Sequence, residues 1–123
     1  MNIEELRNFC LALKATGESF PFDNKTLVFK VMNRMFILCS LEAQPMRFNF
    51  KAIPEDGIAY REEYPAVIPG YHSDKKHWNT VSLDGSVPKD VLEKFILDSY
   101  DLVVARLPKY KQKELRDNDT HSN

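Results

Sequence analysis

A chain of 123 residues, with 43% hydrophobic and 28% charged residues, has the size and composition of one soluble globular domain. Its formal net charge of −1 does not favour a nucleic-acid-binding protein, and no apolar run approaches the roughly 18 residues that a membrane span requires. The acidic residues Glu4 and Glu5 are atypical of a signal peptide, so we expect a cytoplasmic protein that does not bind membranes.

The first predicted element is an amphipathic helix over about residues 3–16. Asn2 and Glu5 have the spacing of a capping box, in which each residue satisfies a backbone N–H at the start of the helix. Apolar residues then recur at helical spacing as far as Leu13. Gly17 is well placed to end the helix.

Three antiparallel strands are predicted next. The side chains of residues 25–31 alternate between the two faces of a predicted strand, and one of these faces is apolar. Residues 35–41 form a continuous apolar run, as expected of a central strand. Asn33-Arg34 between them suits a two-residue hairpin turn, because asparagine tolerates a positive φ. Residues 47–51 then alternate cleanly, with both phenylalanines on one face.

The second half predicts a helix, a strand and a last helix. Pro54 fits the first position of a helix that runs to about Tyr64. A strand begins at about His77. Pro88 opens the last helix and Pro108 ends it.

Antiparallel strands with helices packed on one face make an α+β two-layer sandwich. We therefore expect a single domain over residues 1–110 and a polar, disordered tail over residues 111–123. The sequence contains no internal repeat, and we expect the protein to be a monomer.

Residues 69–81 concentrate the chemically distinctive side chains. Within this stretch lie Trp78, which is the only tryptophan, two histidines, and the pair Lys75-Lys76, after a turn at Pro69-Gly70. This stretch places cations, imidazoles and an indole at the start of a predicted strand. Such a composition suits the binding of an anion and a flat ring. This composition does not name a reaction.

The small net charge hides an uneven distribution. Residues 25–51 carry five cations against one acid, and residues 106–116 again carry five against one. Between them, residues 52–63 carry four acids against one cation. If the two basic segments meet on one surface of the fold, the protein has a basic face despite its net charge.

The chain resembles the MmcQ/YjbR family of small bacterial proteins over about residues 1–110. The motifs that carry the resemblance are Phe20-Pro21-Phe22, Val28-Phe29-Lys30-Val31, Pro69-Gly70-Tyr71-His72, Lys76-His77-Trp78-Asn79-Thr80-Val81, Ser99-Tyr100-Asp101-Leu102-Val103 and Leu107-Pro108-Lys109. The resemblance implies a fold similar to that of the frataxin homologue CyaY, in a double-wing arrangement that carries the label of a DNA-binding protein. It implies no catalytic residue.

Two positions depart from the family pattern. In the family, the sequence of the hairpin turn usually resembles Gly-Gly-Lys. Here it is Met32-Asn33-Arg34, which keeps a cation at the turn. The central loop more often has an apolar residue and an asparagine before its basic pair, and here it has Ser73-Asp74. An acid beside Lys75 weakens the case for a tight phosphate contact there.

The first functional hypothesis is DNA binding without chemistry, through basic hairpins and the 69–81 loop. Its candidate phosphate contacts are Lys30, Arg34, Arg47, Lys51, Lys75 and Lys76. The alternative is a module that holds a small anionic ligand or a protein partner. Its candidate pocket residues are Tyr71, His72, His77, Trp78, Asn79 and Asp101. Cations spread along a groove longer than one duplex turn would favour DNA, and cations that converge on one concavity would favour the ligand.

Plainer interpretations remain open for the same residues. The lysines of the loop can be solvated, and Trp78 can pack beneath the loop instead of offering a stacking surface. Asp101 can pair with Lys76 or cap the loop. Asp74 and Asp101 are available as further metal ligands beside His72 and His77, but nothing requires them, so we predict no metal and no cofactor. No nucleophile motif or carboxylate pair accompanies the histidines, so we nominate no catalytic residue. Cys10 and Cys39 lie in apolar patterns and are expected to be buried, reduced thiols.

Overall fold

The computed structural model describes residues 1–70 and 74–121, with the side chains of residues 118–121 excepted. Within these residues it has four helices and six strands, and it confirms the α+β fold. The helices are α1 Ile3–Leu11, α2 Pro54–Glu63, α3 Lys89–Ala105 and α4 Lys109–His121. The strands are β1 Thr16–Ser19, β2 Thr26–Val31, β3 Arg34–Ser40, β4 Arg47–Lys51, β5 Val67–Pro69 and β6 Trp78–Ser82.

The six strands form one sheet in the order β1-β2-β3-β4-β6-β5, and every neighbouring pair is antiparallel. Helix α3 packs across β2, β3 and β4. Phe50 of β4 and Phe95 of α3 are fully buried, and their rings stack with centroids 4.5 Å apart. Alternation along the strands assigns one face of the sheet to this core, while Val28 and Trp78 are buried on the other face. No helix in the described part of the chain is long and apolar enough to cross a membrane.

The start of the chain confirms the predicted capping box but not the predicted end of the helix. The Asn2 side chain accepts a hydrogen bond from the Glu5 N–H at 2.8 Å, and the Asn2 N–H donates to Glu5 Oε1 at 3.1 Å. Helix α1 ends at Leu11, and Ala15 then adopts a φ of 57°, which reverses the chain. Residues 16–19 consequently pair with β2 as an edge strand, which was not predicted.

The hairpin between β2 and β3 is confirmed, with its turn one residue earlier than predicted. Met32 and Asn33 have φ values of 48° and 71°, so they occupy the two central positions that require positive φ. Arg34 is therefore the first residue of β3 and pairs with Val31. A register shift between Phe29 and Lys30 marks a bulge in this pair of strands.

Two further elements differ from the prediction. Strand β5 pairs with β6 at the second edge of the sheet. Helix α4 covers residues 109–121, where a disordered tail was expected. Leu115 of α4 is only 8% exposed, and Gln112 Nε2 donates to the Leu107 carbonyl at 2.8 Å. Burial of one leucine and this contact to the end of α3 hold a segment that is otherwise polar.

Candidate anion-binding site

One end of the sheet brings together three cations and the tryptophan. Arg34 begins β3, Lys51 ends β4 and Trp78 begins β6. Because these neighbouring strands are antiparallel, all three residues lie at the same end of the sheet. Lys51 and Trp78 are direct partners in the β4–β6 pairing. Arg106 directly follows the C-terminal end of α3, a position that favours a cation. The basic pocket is a cavity of about 340 Å³ that is lined by Arg34, Met35, Lys51, Trp78, Val103 and Arg106.

The positive charges of the basic pocket are poorly compensated. Burial lowers the pKa of Lys51, and the neighbouring charges of Arg106 and Arg34 lower it further, while Asp74 acts in the opposite direction. Among the described residues, neither Arg34 nor Arg106 forms an ion pair with a carboxylate. The like charges of Arg34 and Arg106 act unfavourably on Lys51, and a bound anion would relieve this repulsion.

Ser99 fixes the position of Lys51 relative to α3. Its fully buried hydroxyl accepts a hydrogen bond from the Lys51 N–H at 2.8 Å and donates to the Phe36 carbonyl at 2.6 Å. One side chain therefore ties the last residue of β4 and the bulged segment of β3 to the helix that ends at Arg106. From the sequence, Ser99 is identified only as part of a family motif in the last predicted helix. A hydroxyl in an otherwise apolar helix face is the signal that could have identified it.

Trp78 is mostly covered. It is 9% exposed, and Lys51 Nζ lies 5.8 Å from the centroid of its ring. The ammonium group occupies the approach to the indole as a cation–π contact. The structure therefore agrees with the interpretation of Trp78 as a packed residue, and it offers no open indole face for base stacking.

The turn over residues 74–77 is organised by Asp74. Its carboxylate lies 2.7 Å from His77 Nδ1 and accepts a hydrogen bond from the Lys76 N–H at 2.9 Å. The hydrogen bond with His77 lowers the pKa of Asp74. Lys75 and Lys76 are exposed on this turn. Tyr71 and His72, which were predicted to line the pocket, lie outside the described residues.

The other two residues predicted for the pocket lie elsewhere. Asn79 is fully buried on the face opposite to Trp78, because successive strand residues alternate, and it accepts a hydrogen bond from Arg61 Nη1. Asp101 is exposed and lines a separate cavity together with Asp56 and Asp98. The predicted set is therefore divided between different surfaces.

The predicted basic residues are also divided. Arg34 and Lys51 meet in the basic pocket, whereas Arg47 lies at the opposite end of β4 from Lys51. Lys30 lines a second cavity, of about 550 Å³, together with Asn33 and Lys111. Arg106 and Lys111 were counted in the basic C-terminal segment but not nominated individually. The described residues contain no group of three or more histidine, cysteine, aspartate or glutamate side chains that could hold a metal ion.

Comparison with known proteins places this architecture in a family. The YjbR family model matches residues 11–102. The chain is 34% identical to the Escherichia coli O157:H7 protein YbdF, over 92% of this chain and 93% of that protein, and neither the name of this relative nor that of the next states a function. It is 32% identical to YjbR of Escherichia coli K12, over 94% of this chain and 98% of that protein.

Solved structures agree with this assignment. A Deinococcus radiodurans protein with a DUF419 domain superimposes with a TM-score of 0.88 and 42% identity, over 93% of this chain and 87% of that one. A Pseudomonas syringae protein with 22% identity superimposes with a TM-score of 0.72, over 83% of this chain and 98% of that one, and shows the same fold. With a family model that matches three quarters of its length, the chain belongs to the YjbR family.

Proposed function

We propose that this protein is a cytoplasmic binding module whose basic pocket holds a small anionic ligand. The observation that supports the proposal is the convergence of Arg34, Lys51 and Arg106 on one cavity, with no ion pair for either arginine among the described side chains. Arg34 and Arg106 are exposed and Lys51 is partly buried, so all three can reach an anion in the cavity. Guanidinium and ammonium groups form charge-assisted hydrogen bonds with anions, which are about twice as strong as neutral ones. The buried free thiols Cys10 and Cys39 agree with a reducing compartment.

The dimensions of the basic pocket favour a compact ligand over a duplex. Its strand residues lie on β3, β4 and β6, which are direct neighbours and therefore span about 10 Å. The whole six-stranded sheet is only about 24 Å wide at the usual strand spacing. One turn of duplex DNA is about 34 Å long. Three cations, Arg34, Lys51 and Arg106, converge on this one concavity, which favours a compact ligand.

The fluorescence of the single tryptophan tests this proposal, because Lys51 Nζ lies 5.8 Å from the Trp78 ring. We expect pyrophosphate to give a saturable change that weakens between about 50 mM and 200 mM salt. The double variant Arg34→Gln, Arg106→Gln should lose the response. Lys113→Gln, which removes an exposed charge from α4 outside the pocket, should retain it. A flat titration with pyrophosphate, sulfate and citrate at low salt would refute the proposal.

A second candidate function is weak nucleic-acid binding. The observation that favours it is the second cavity, where Lys30 and Lys111 lie beside the same hairpin turn that precedes Arg34. Exposed Lys75 and Lys76 add two further cations on the 74–77 turn. These residues would contact phosphates without reading sequence, so the affinity should fall steeply with salt.

A further inference from the structure

The basic pocket has two chemically different walls. Arg34, Lys51 and Arg106 supply the charged wall, and Met35 and Val103 contribute apolar atoms beside the indole. We infer that the ligand is a phosphate monoester, with its terminal phosphate on the three cations and its organic group against Met35 and Val103. This inference rests on the proposed function and specifies the ligand class for the same pocket.

The number of donors favours a terminal phosphate over other anions. A monoester phosphate has three terminal oxygens and carries close to two negative charges at neutral pH. Three cationic side chains converge here, and two of them are guanidinium groups, whose planar forks bind phosphate through paired hydrogen bonds. A phosphodiester and a carboxylate each offer two terminal oxygens and one negative charge, so each would balance less of the positive charge of the pocket than a monoester does.

The acid nearest to Lys51 is already engaged. Asp74 influences Lys51, yet both of its carboxylate oxygens have partners within the turn. Oδ2 lies 2.7 Å from His77 Nδ1, and Oδ1 accepts from the Lys76 N–H at 2.9 Å. Because these contacts fix the carboxylate in the turn, at least two positive charges of the pocket remain for a ligand to balance.

The size and apolar wall of the pocket favour an ester over free phosphate. A volume of about 340 Å³ lies at the lower end of the usual range for small-molecule sites, which begins near 300 Å³. Met35 is partly buried and Val103 is 5% exposed, so a small organic group would contact mainly Met35, which Val103 supports from beneath. Free phosphate would leave this surface in contact with water and would gain nothing from it.

Isothermal titration calorimetry of the full chain at pH 8 tests the ligand class with four probes: phenyl phosphate, inorganic phosphate, diethyl phosphate and benzoate. We expect phenyl phosphate to bind at least about tenfold more tightly than diethyl phosphate and benzoate, because it offers more charge-assisted hydrogen bonds. Inorganic phosphate should bind less tightly than phenyl phosphate. Comparable affinity for all four probes would overturn the ligand class and leave the anion pocket standing. No binding of any probe would overturn both proposals.

The pH dependence of ligand binding provides a second test of the ligand class. The second pKa of a phosphate monoester is about 6, so phenyl phosphate should bind about tenfold more weakly at pH 5 than at pH 8. The charged groups that act on Lys51 are Arg106, Asp74 and Arg34, and Asp74 in turn contacts His77 Nδ1. Diethyl phosphate keeps one charge across this range and reports the protein's own titration. Equal pH dependence for the two probes would contradict the inference.

Variants that each remove one positive charge from the basic pocket provide a third test. Arg34→Gln and Arg106→Gln should each weaken phenyl phosphate binding by roughly tenfold. Lys113→Gln is the matched control, since it removes the same charge from a part of α4 that does not line the pocket. Circular dichroism establishes that each variant is folded. Unchanged affinity in both folded arginine variants would overturn the inference.

Discussion

Gly70 is the residue at which the smallest added group would do the most harm. It is buried at the end of β5, where its N–H donates to the Trp78 carbonyl at 2.8 Å. A Cβ at this position would lie 2.7 Å from Trp78 Cβ and 2.8 Å from the Trp78 carbonyl oxygen. Because the carbonyl belongs to the backbone, it cannot rotate away. The close approach of these two strands therefore depends on glycine and keeps Trp78 in place beside Lys51.

We predict that Gly70→Ala lowers the free energy of unfolding by about 1–3 kcal/mol, the usual cost of overpacking a buried site. The measurement is urea denaturation followed by circular dichroism. Gly17→Ala is the control, since a Cβ at Gly17 meets nothing within 4 Å, and it should change the stability by less than about 0.5 kcal/mol. Equal stability of the two variants would show that β5 and β6 can separate at no cost.

In helix α4, one buried side chain determines whether a polar segment is folded as a helix. Residues 109–121 have the composition of a tail, and an isolated helix of this length would be only marginally stable in water. Leu115 is nevertheless 8% exposed, and Gln112 bonds back to the carbonyls of Leu107 and Ala105 at the end of α3. The helix also carries Lys111 to the second cavity. Loss of its anchor would therefore change the basic surface as well as the stability.

Leu115→Ala should lower the free energy of unfolding by about 2 kcal/mol, the lower end of the range for a buried leucine. Leu97 on α3 is 40% exposed, so Leu97→Ala removes the same atoms from a wet surface and should cost clearly less. Urea denaturation measures both variants. If Leu115→Ala proves no more destabilising than Leu97→Ala, α4 contributes little to the folded state.

The elements that could be predicted are those whose own residues encode them. The capping box of α1 and the β2–β3 hairpin follow from local patterns, and both are present. Strand β1 has no apolar alternation and contains Gly17, so only its pairing with β2 makes it a strand. Strand β5 has three residues and ends in proline, which is tolerated at a sheet edge. Such elements depend on their neighbours and leave no local signal.

The same distinction applies to the site. Arg34 and Lys51 could be nominated as cations on strands, but their meeting depends on the antiparallel order of β3 and β4. Arg106 joins them only because α3 crosses the sheet and ends at the same end of the strands. Trp78 and Asn79 are adjacent in sequence and were grouped for that reason. Strand alternation sends their side chains to opposite faces, as the alternation of the predicted strand from His77 onward already indicates.

At the scale of the whole molecule, a net charge of −1 coexists with two basic cavities on either side of one hairpin turn. Acids gather elsewhere, as in the cavity lined by Asp56, Asp98 and Asp101. The turn residue Asn33 lines one basic cavity, and its neighbour Arg34 lines the other. A compact anion needs only the basic pocket. A nucleic-acid strand would need both cavities, so the two functions can be separated by mutation.

Two double variants of equal net charge make this separation. Lys30→Gln with Lys111→Gln empties the second cavity of cations, and Arg34→Gln with Arg106→Gln does the same to the basic pocket except for Lys51. Fluorescence anisotropy of labelled DNA, measured against salt, should show a slope smaller by about 2 in each double variant, because each loses two phosphate contacts. Only the arginine pair should also lose phenyl phosphate. DNA binding that survives the lysine pair unchanged would contradict the second candidate function, because the strand would then make no use of the surface beyond the pocket.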